Sequence, residues 1–175
     1  VLPGLNLNIV RYNVGGGGKR GDKNNPSEVE DKEPSSATAH DGFEPYRDID
    51  GFWKDIGSTD PKSNSFDWDR DSNQRSMLQA AKSRGVGNFE FYSNAPMWWM
   101  TDEKSASGGH LNGDQRSNYM LYLALVAKVA RSKWNIPVSS IEPFNESTSG
   151  KWVFPIFQQG CNIDRGGQVE LLAFL

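Results

Sequence analysis

The order of patterned segments along the 175 residues predicts an α/β fold: about three consecutive βα units of a partial (β/α)8 TIM barrel, with long loops on its C-terminal face. Three observations carry this. Strand-like and helix-like stretches alternate three times, the polar segments after the strands are long, and the turns from helices back into strands, at residues 85–87 and 135–139, are short. Alternation implies parallel strands joined by right-handed crossovers, and barrels keep their elaborated loops at the strand C-terminal ends. An intact barrel needs about 250 residues. Residues 1–175 are therefore expected to form one domain that is a fragment of such a barrel, three of its eight units, with both lateral sheet edges unpaired.

The elements follow in order. Residues 5–12, LNLNIVRY, alternate and then turn continuously apolar, as a strand bordering a core does. Residues 13–62 are rich in Gly, Asp, Ser and Pro. Loops of that length are functional or disordered, and an ordered part is expected near residues 43–56, around Phe43, Tyr46, Phe52 and Trp53. A mobile part is expected at residues 19–39, where large apolar side chains are nearly absent. The first helix lies in DWDRDSNQRSMLQAAKSRGV: Asp69 or Asp71 caps its first amides, Gln74 completes a capping box with Asp71, and Met77, Leu78 and Ala81 share one face. Gly85 supplies its left-handed stop. A strand at residues 88–92 is closed by Pro96. Asp114 then caps a helix in QRSNYMLYLALVAKVARSKWN, whose Tyr119, Tyr122, Leu123, Val126, Val129 and Ala130 recur at helical spacing. A third strand is expected at residues 140–145, and Asp164 opens a last helix.

Composition narrows the partners. With 19 basic and 22 acidic side chains the formal charge is −3, which gives no electrostatic footprint for nucleic acid or an anionic membrane. No run approaches the ~18 apolar residues of a membrane span, and residues 1–16 lack the pattern of a signal peptide, reading as a chain already inside its fold. The single cysteine, Cys161, excludes an intrachain disulfide and is expected as a small buried apolar residue. His40 and His110 read as loop residues without metal-ligand spacing, so no metal or cofactor is expected. GGGGKR, residues 15–20, lacks the Gly and Ser/Thr positions of a phosphate loop and reads as a flexible loop. The triplet NES at 145–147 formally fits a glycosylation acceptor.

In a parallel barrel the strand ends converge on one cleft, here bringing Arg11, Asn94 and Asn145-Glu146 together, with Trp98 and Trp99 just past the second strand. Any of these residues can simply pack or cap. As a set they suit a sugar: amides pair with hydroxyls, an indole covers the apolar face of a pyranose, and a carboxyl group handles the glycosidic oxygen.

The segments LNIVRYNVGG, FDWDRDSNQRSMLQAAKSRGVGNFEFYSNAPMWWM, EPFNES and FQQGCNIDR resemble, in this order, glycoside hydrolases of family 30, of the fungal endo-β-1,6-galactanase type. The resemblance covers most of the chain outside residues 19–45. It implies an extracellular retaining hydrolase of polysaccharide or oligosaccharide, with a barrel, an accompanying β-sandwich and no metal. By the same resemblance Glu146 is the general acid/base, Asn145 holds the hydroxyl next to the anomeric carbon, Arg11 supports the nucleophile, and Trp98 and Trp99 line the cleft. Ser147 stands where the family carries Pro, and Ala95 where Ser is usual. By the same resemblance the nucleophilic Glu belongs at the end of a later strand, beyond Leu175, and the first barrel strand is missing as well; within the chain, Glu90 and Glu142 lie inside strands and read as buried structural groups. Retaining hydrolysis needs two carboxyl groups about 5–5.5 Å apart, so residues 1–175 alone are expected to turn over little or nothing. The competing expectation is a non-catalytic or degenerate carbohydrate-binding barrel segment, which keeps Asn94, Trp98 and Trp99 but gives Glu146 no proton to move.

Overall fold

A computed structural model describes residues 6–17, 49–156 and 158–174. The segment expected to be mobile, residues 19–39, lies outside the described residues, as do His40, Phe43 and Tyr46. The fold is mixed α/β. Strands β1 (Ile9–Asn13), β2 (Asn88–Tyr92) and β4 (Val138–Glu142) form a parallel sheet in the order β1-β2-β4. Helix α1 (Ser72–Ser83) connects the first pair and α2 (Arg116–Ser132) the second. Sequential strands are thus spatial neighbours, the arrangement of consecutive units in a barrel, and β1 and β4 are the sheet's edges.

A second, two-stranded parallel sheet was not foreseen. It pairs β3 (Ser107–His110), from the loop after β2, with β5 (Gly160–Asn162), from the loop after β4. These strands are four and three residues long and rich in Gly, so they carry no alternation to read. Their effect is to tie two strand-end loops to each other. His110 ends β3 and is not a free loop residue; its ring Nδ1 lies 3.1 Å from Glu103.

Each helix shows why it starts and stops. At Asp71 the capping box does not form: the residue adopts φ 53°, its side chain caps nothing, and its carboxylate instead accepts from the Tyr12 hydroxyl and from Gln74 Nε2 at 2.9 Å. The C-terminus closes as expected, with Gly85 at φ 90° and the amides of Gly85 and Val86 donating to the carbonyls of Lys82 and Ala81. Met77 is 70% exposed and falls off the buried face that Leu78 holds. Helix α2 is preceded by a 3-10 turn, Gly113–Gln115, that Asn112 caps in place of the expected Asp114. Its six expected inward residues are all buried. At roughly 1.5–3 kcal/mol per fully buried large side chain, packing holds α2 in place more than intrinsic propensity does. Asp164 caps α3 (Arg165–Leu172), accepting from Gly167 N at 2.6 Å.

The third strand ends earlier than expected, at Glu142, because Pro143 has no amide to continue the ladder. Asn145 and Glu146 therefore sit in a turn beyond the strand.

Gly15, Gly16 and Gly17 belong to no flexible loop. All three are buried, and a methyl group on Gly15 would collide with the carbonyl oxygens of Ile49 and Asp50, or on Gly16 with that of Pro96. Backbone packs on backbone there, and only glycine fits. The loop at residues 49–71 is anchored by aromatic stacking, Phe52 on Trp68 and Trp53 on Phe66 with centroids 5.5 and 4.9 Å apart. Cys161 is buried as expected, and its burial pushes the thiol's pKa up.

Candidate active site

Parity along the strands separates two faces. Tyr12, Phe89 and Phe91 turn toward the helices and are at most 1% exposed. Arg11, Glu90 and Glu142 occupy the other face. Arg11 Nε donates to Glu90 at 2.5 Å and Arg11 Nη2 donates to Glu142, while the guanidinium lies 4.2 Å from the centroid of the Tyr92 ring. Glu90 and Glu142 are not the buried groups expected: their side chains are 34% and 42% exposed. Burial lowers the pKa of Arg11, but the hydrogen bond and charge of Glu90 with the charge of Glu142 outweigh it, so the net shift is upward.

From this cluster a chain of side-chain bonds runs to the strand ends. Arg11 Nη2 lies 3.4 Å from Asn145 Oδ1, and Asn145 Nδ2 donates to Asn94 Oδ1 at 2.5 Å. The Asn145 amide also donates to the Ser93 carbonyl at 3.3 Å, and Ser93, 1% exposed, bonds the carbonyls of Val14 and Ala95. Three of the expected residues, Arg11, Asn94 and Asn145, are thus brought together. Arg11 thus holds the Asn145 oxygen and Asn94 accepts from its nitrogen, which orients the Asn145 side chain and leaves one of its two N–H groups for another partner. A glycan on that nitrogen would take up its second N–H.

Glu146, Trp98 and Trp99 stand apart from that chain. Glu146 is exposed, with φ 53°, and its carboxylate makes no hydrogen bond or ion pair among the described residues. Its carbonyl is held twice, by Ser149 N at 2.9 Å and Trp152 Nε1 at 2.8 Å. Trp99 donates from Nε1 to the Trp53 carbonyl at 2.9 Å and meets the Trp53 ring edge-on at 5.2 Å, a packing role. Trp98 is half-buried, with no ring partner and no side-chain hydrogen bond among the described residues, so its indole is the freer of the two.

Two contributors escaped sequence reasoning. Gln159, 2% exposed, accepts from Gly16 N at 3.0 Å and donates to Ile49 O at 2.7 Å, stitching the third loop to the first. Trp152 was equally unremarked. Its signal was its type: a large residue in a Gly- and Ser-rich loop is usually anchored.

The sequence profile of O-glycosyl hydrolase family 30 matches residues 3–168. An endo-beta-1,6-galactanase of Hypocrea rufa is 39% identical over 178 residues, covering 99% of this chain and 35% of that protein. An exo-beta-1,6-galactobiohydrolase of Bifidobacterium longum subsp. longum is 26% identical over 169 residues, 87% of this chain and 11% of its own length. The chain thus spans about a third of the galactanase and about a ninth of the galactobiohydrolase. Among solved structures, a conserved exported protein from Bacteroides fragilis superposes with a TM-score of 0.76 at 22% identity, over 98% of this chain and 31% of that one. The catalytic domain of GH30 xylanase C from Talaromyces cellulolyticus gives 0.61 at 16% identity, over 96% and 33%. These two likenesses concern the fold, while the profile and the 39% identity concern descent, and on them the chain belongs to glycoside hydrolase family 30.

Proposed function

We propose that this chain supplies the acid/base half of a retaining glycosidase site that cleaves β-1,6-linked galactan. The observation that carries the reading is the bonded chain Arg11–Asn145–Asn94, which fixes the residue immediately before Glu146 in the turn that follows β4. The galactan assignment rests on identity to the galactanase. Glu146 protonates the departing glycosidic oxygen and then takes a proton from the attacking water, while a second carboxylate attacks the anomeric carbon. Asn94 and Asn145 present amide edges to sugar hydroxyls, Arg11 charges the cleft floor, and Trp98, with Trp99 behind it, offers an apolar face to the pyranose. No metal or cofactor takes part in this scheme.

We assign the attacking carboxylate to a residue outside 1–175, a reading supported by the pairing of Glu90 and Glu142 with Arg11. Residues 1–175 by themselves are then expected to release little or no reducing sugar from β-1,6-galactan. Their exposed edges, β1 and β4, are expected to favour self-association. Among the described residues no helix is long and apolar enough to cross a membrane, and we place the protein outside the cell.

A second reading, a carbohydrate-binding segment without turnover, draws on the absence of any contact between the Glu146 carboxylate and Arg11. Glu146→Gln in the full-length protein separates them. The hydrolase reading expects galactan cleavage to fall by about 10²- to 10⁴-fold with sugar affinity kept. Unchanged cleavage, or none in the parent protein, leaves the binding reading.

A further inference from the structure

The turn that carries Glu146 is held more firmly than an exposed loop requires. Its non-glycine φ of 53° lies in the left-handed region, a conformation that persists only where the surroundings over-determine it. Both neighbouring peptides are fixed. The Glu146 carbonyl accepts from Ser149 N and Trp152 Nε1, at 2.9 and 2.8 Å. Trp152 is itself locked: it is 4% exposed, and its ring lies so close over Gly160 of β5 that a methyl group there would strike it.

On the other side, Ser147 is 4% exposed and bonded throughout. Its carbonyl accepts from Ile163 N at 2.9 Å, its hydroxyl donates to the Phe144 carbonyl at 3.3 Å, and the same hydroxyl accepts from Gln168 Nε2 at 3.0 Å. Gln168, on α3, also donates to the Ile163 carbonyl at 2.9 Å. The residue between these anchors is exposed, while the anchors themselves come from the loop after β4, from β5 and from α3. None of the three was among the residues expected to form the site.

We infer that Trp152, Ser147 and Gln168 are positioning residues for Glu146, clamping residues 146 and 147 so that the backbone conformation at 146, and with it the direction in which the carboxyl leaves the chain, is set from β5 and α3. This rests on the acid/base reading of Glu146. The clamp does at residue 147 by buried hydrogen bonds what a ring-constrained residue does by covalent geometry. Misplacing a catalytic group by about 1 Å can cost about 100-fold in rate, so loosening the clamp acts on proton delivery and leaves sugar binding in place.

The test uses the full-length protein and two substrates: a β-1,6-galacto-oligosaccharide, whose leaving oxygen needs a proton, and a nitrophenyl β-galactoside, whose leaving group needs none. Trp152→Phe keeps an aromatic ring while removing the indole donor and part of the packed ring, and Gln168→Leu removes the Ser147 partner. Each is expected to lower kcat on the oligosaccharide by between about 10- and about 100-fold with KM within about twofold. kcat/KM on the nitrophenyl substrate should stay within about threefold, and the alkaline limb of the pH profile should shift. Glu146→Gln should give the same split between substrates, larger. If Glu146→Gln splits the substrates but neither clamp variant does, or if both clamp variants lower the two substrates equally, the positioning inference falls and the acid/base reading stands. If Glu146→Gln lowers both substrates equally, the acid/base reading itself falls. Thermal melting identifies a variant that fails to fold, and the other clamp variant then decides.

Discussion

The two faces of the β1-β2-β4 sheet are built from alternate residues of the same strands, yet they are held together by different physics. On the helix side, Tyr12, Phe89 and Phe91 lose nearly all contact with water and share one buried cluster with the apolar stripe of α2. On the other side, Arg11, Glu90 and Glu142 keep between 34% and 44% of their side-chain surface exposed and meet as an ion cluster. The first face supplies stability, since apolar burial is worth about 25 cal/mol per Å². The second supplies a charged, hydrogen-bonding floor beside the strand ends, because ion pairs this exposed contribute about 0–1 kcal/mol each. A mutation on the first side should therefore be read out in melting, and one on the second should cost little stability.

The largest expected effect falls on the helix side. Phe91 is 1% exposed and its ring lies 4.7 Å from that of Tyr12. Phe91→Ala should cost about 3–5 kcal/mol, measured as the shift of a urea midpoint. A loss below about 1 kcal/mol would mean that the face is more plastic than close packing allows.

How much of this was legible in the sequence depended on whether the signal was local. β2 falls on the residues its pattern predicted, Asn88–Tyr92, and α2 buries the six positions its period picked out. Gly85 and Asp164 end and begin their helices as their chemistry dictates. What misled was tertiary demand. Asp71 gives up its cap to meet the Tyr12 hydroxyl, 59 positions away in sequence. Gly15, Gly16 and Gly17 look like a flexible tract, yet the first two are required by the passage of Ile49, Asp50 and Pro96 against them and the third by its φ of 61°. Residue types at the strand ends singled out Arg11, Asn94 and Asn145, which the fold bonds together. Trp152, Gln159 and Gln168 were hidden because they bond segments that meet them only in the fold, which no spacing rule reports.

The Asp71 contact is the point where the apolar face admits a titrating group, and it gives a pH-dependent prediction of intermediate size. Burial pushes the Asp71 carboxyl from 3.8 up to about 6, against the hydrogen bonds from Tyr12 and Gln74, with Asp50 adding to the rise and Arg75 opposing it. In the folded protein the proton is held more tightly than in the unfolded chain, so Asp71's contribution is complete below about pH 4 and is lost as the pH rises through about 6. Asp71→Asn keeps an acceptor for Tyr12 and cannot ionise. The difference in melting temperature between parent and variant should therefore move in the variant's favour between pH 4 and pH 6.5 and be flat above. A flat difference across that whole range would show that Asp71 is no more burdened by burial than a surface carboxylate.

The smallest expected effect tests the open face itself. Glu142→Gln preserves shape and an acceptor but removes one of the two charges that hold Arg11. With the Glu142 side chain 42% exposed, the expected loss is below about 1 kcal/mol and smaller still at high salt. Glu90 at 2.5 Å keeps Arg11 anchored, so the bond from Arg11 to Asn145 need only lengthen. A destabilisation approaching that of Phe91→Ala would mean that the ion cluster behaves as a buried one, in which removing a partner strands an uncompensated charge at about 3–5 kcal/mol. The two faces would then share the work of holding the sheet, and the division drawn from their exposure would fail.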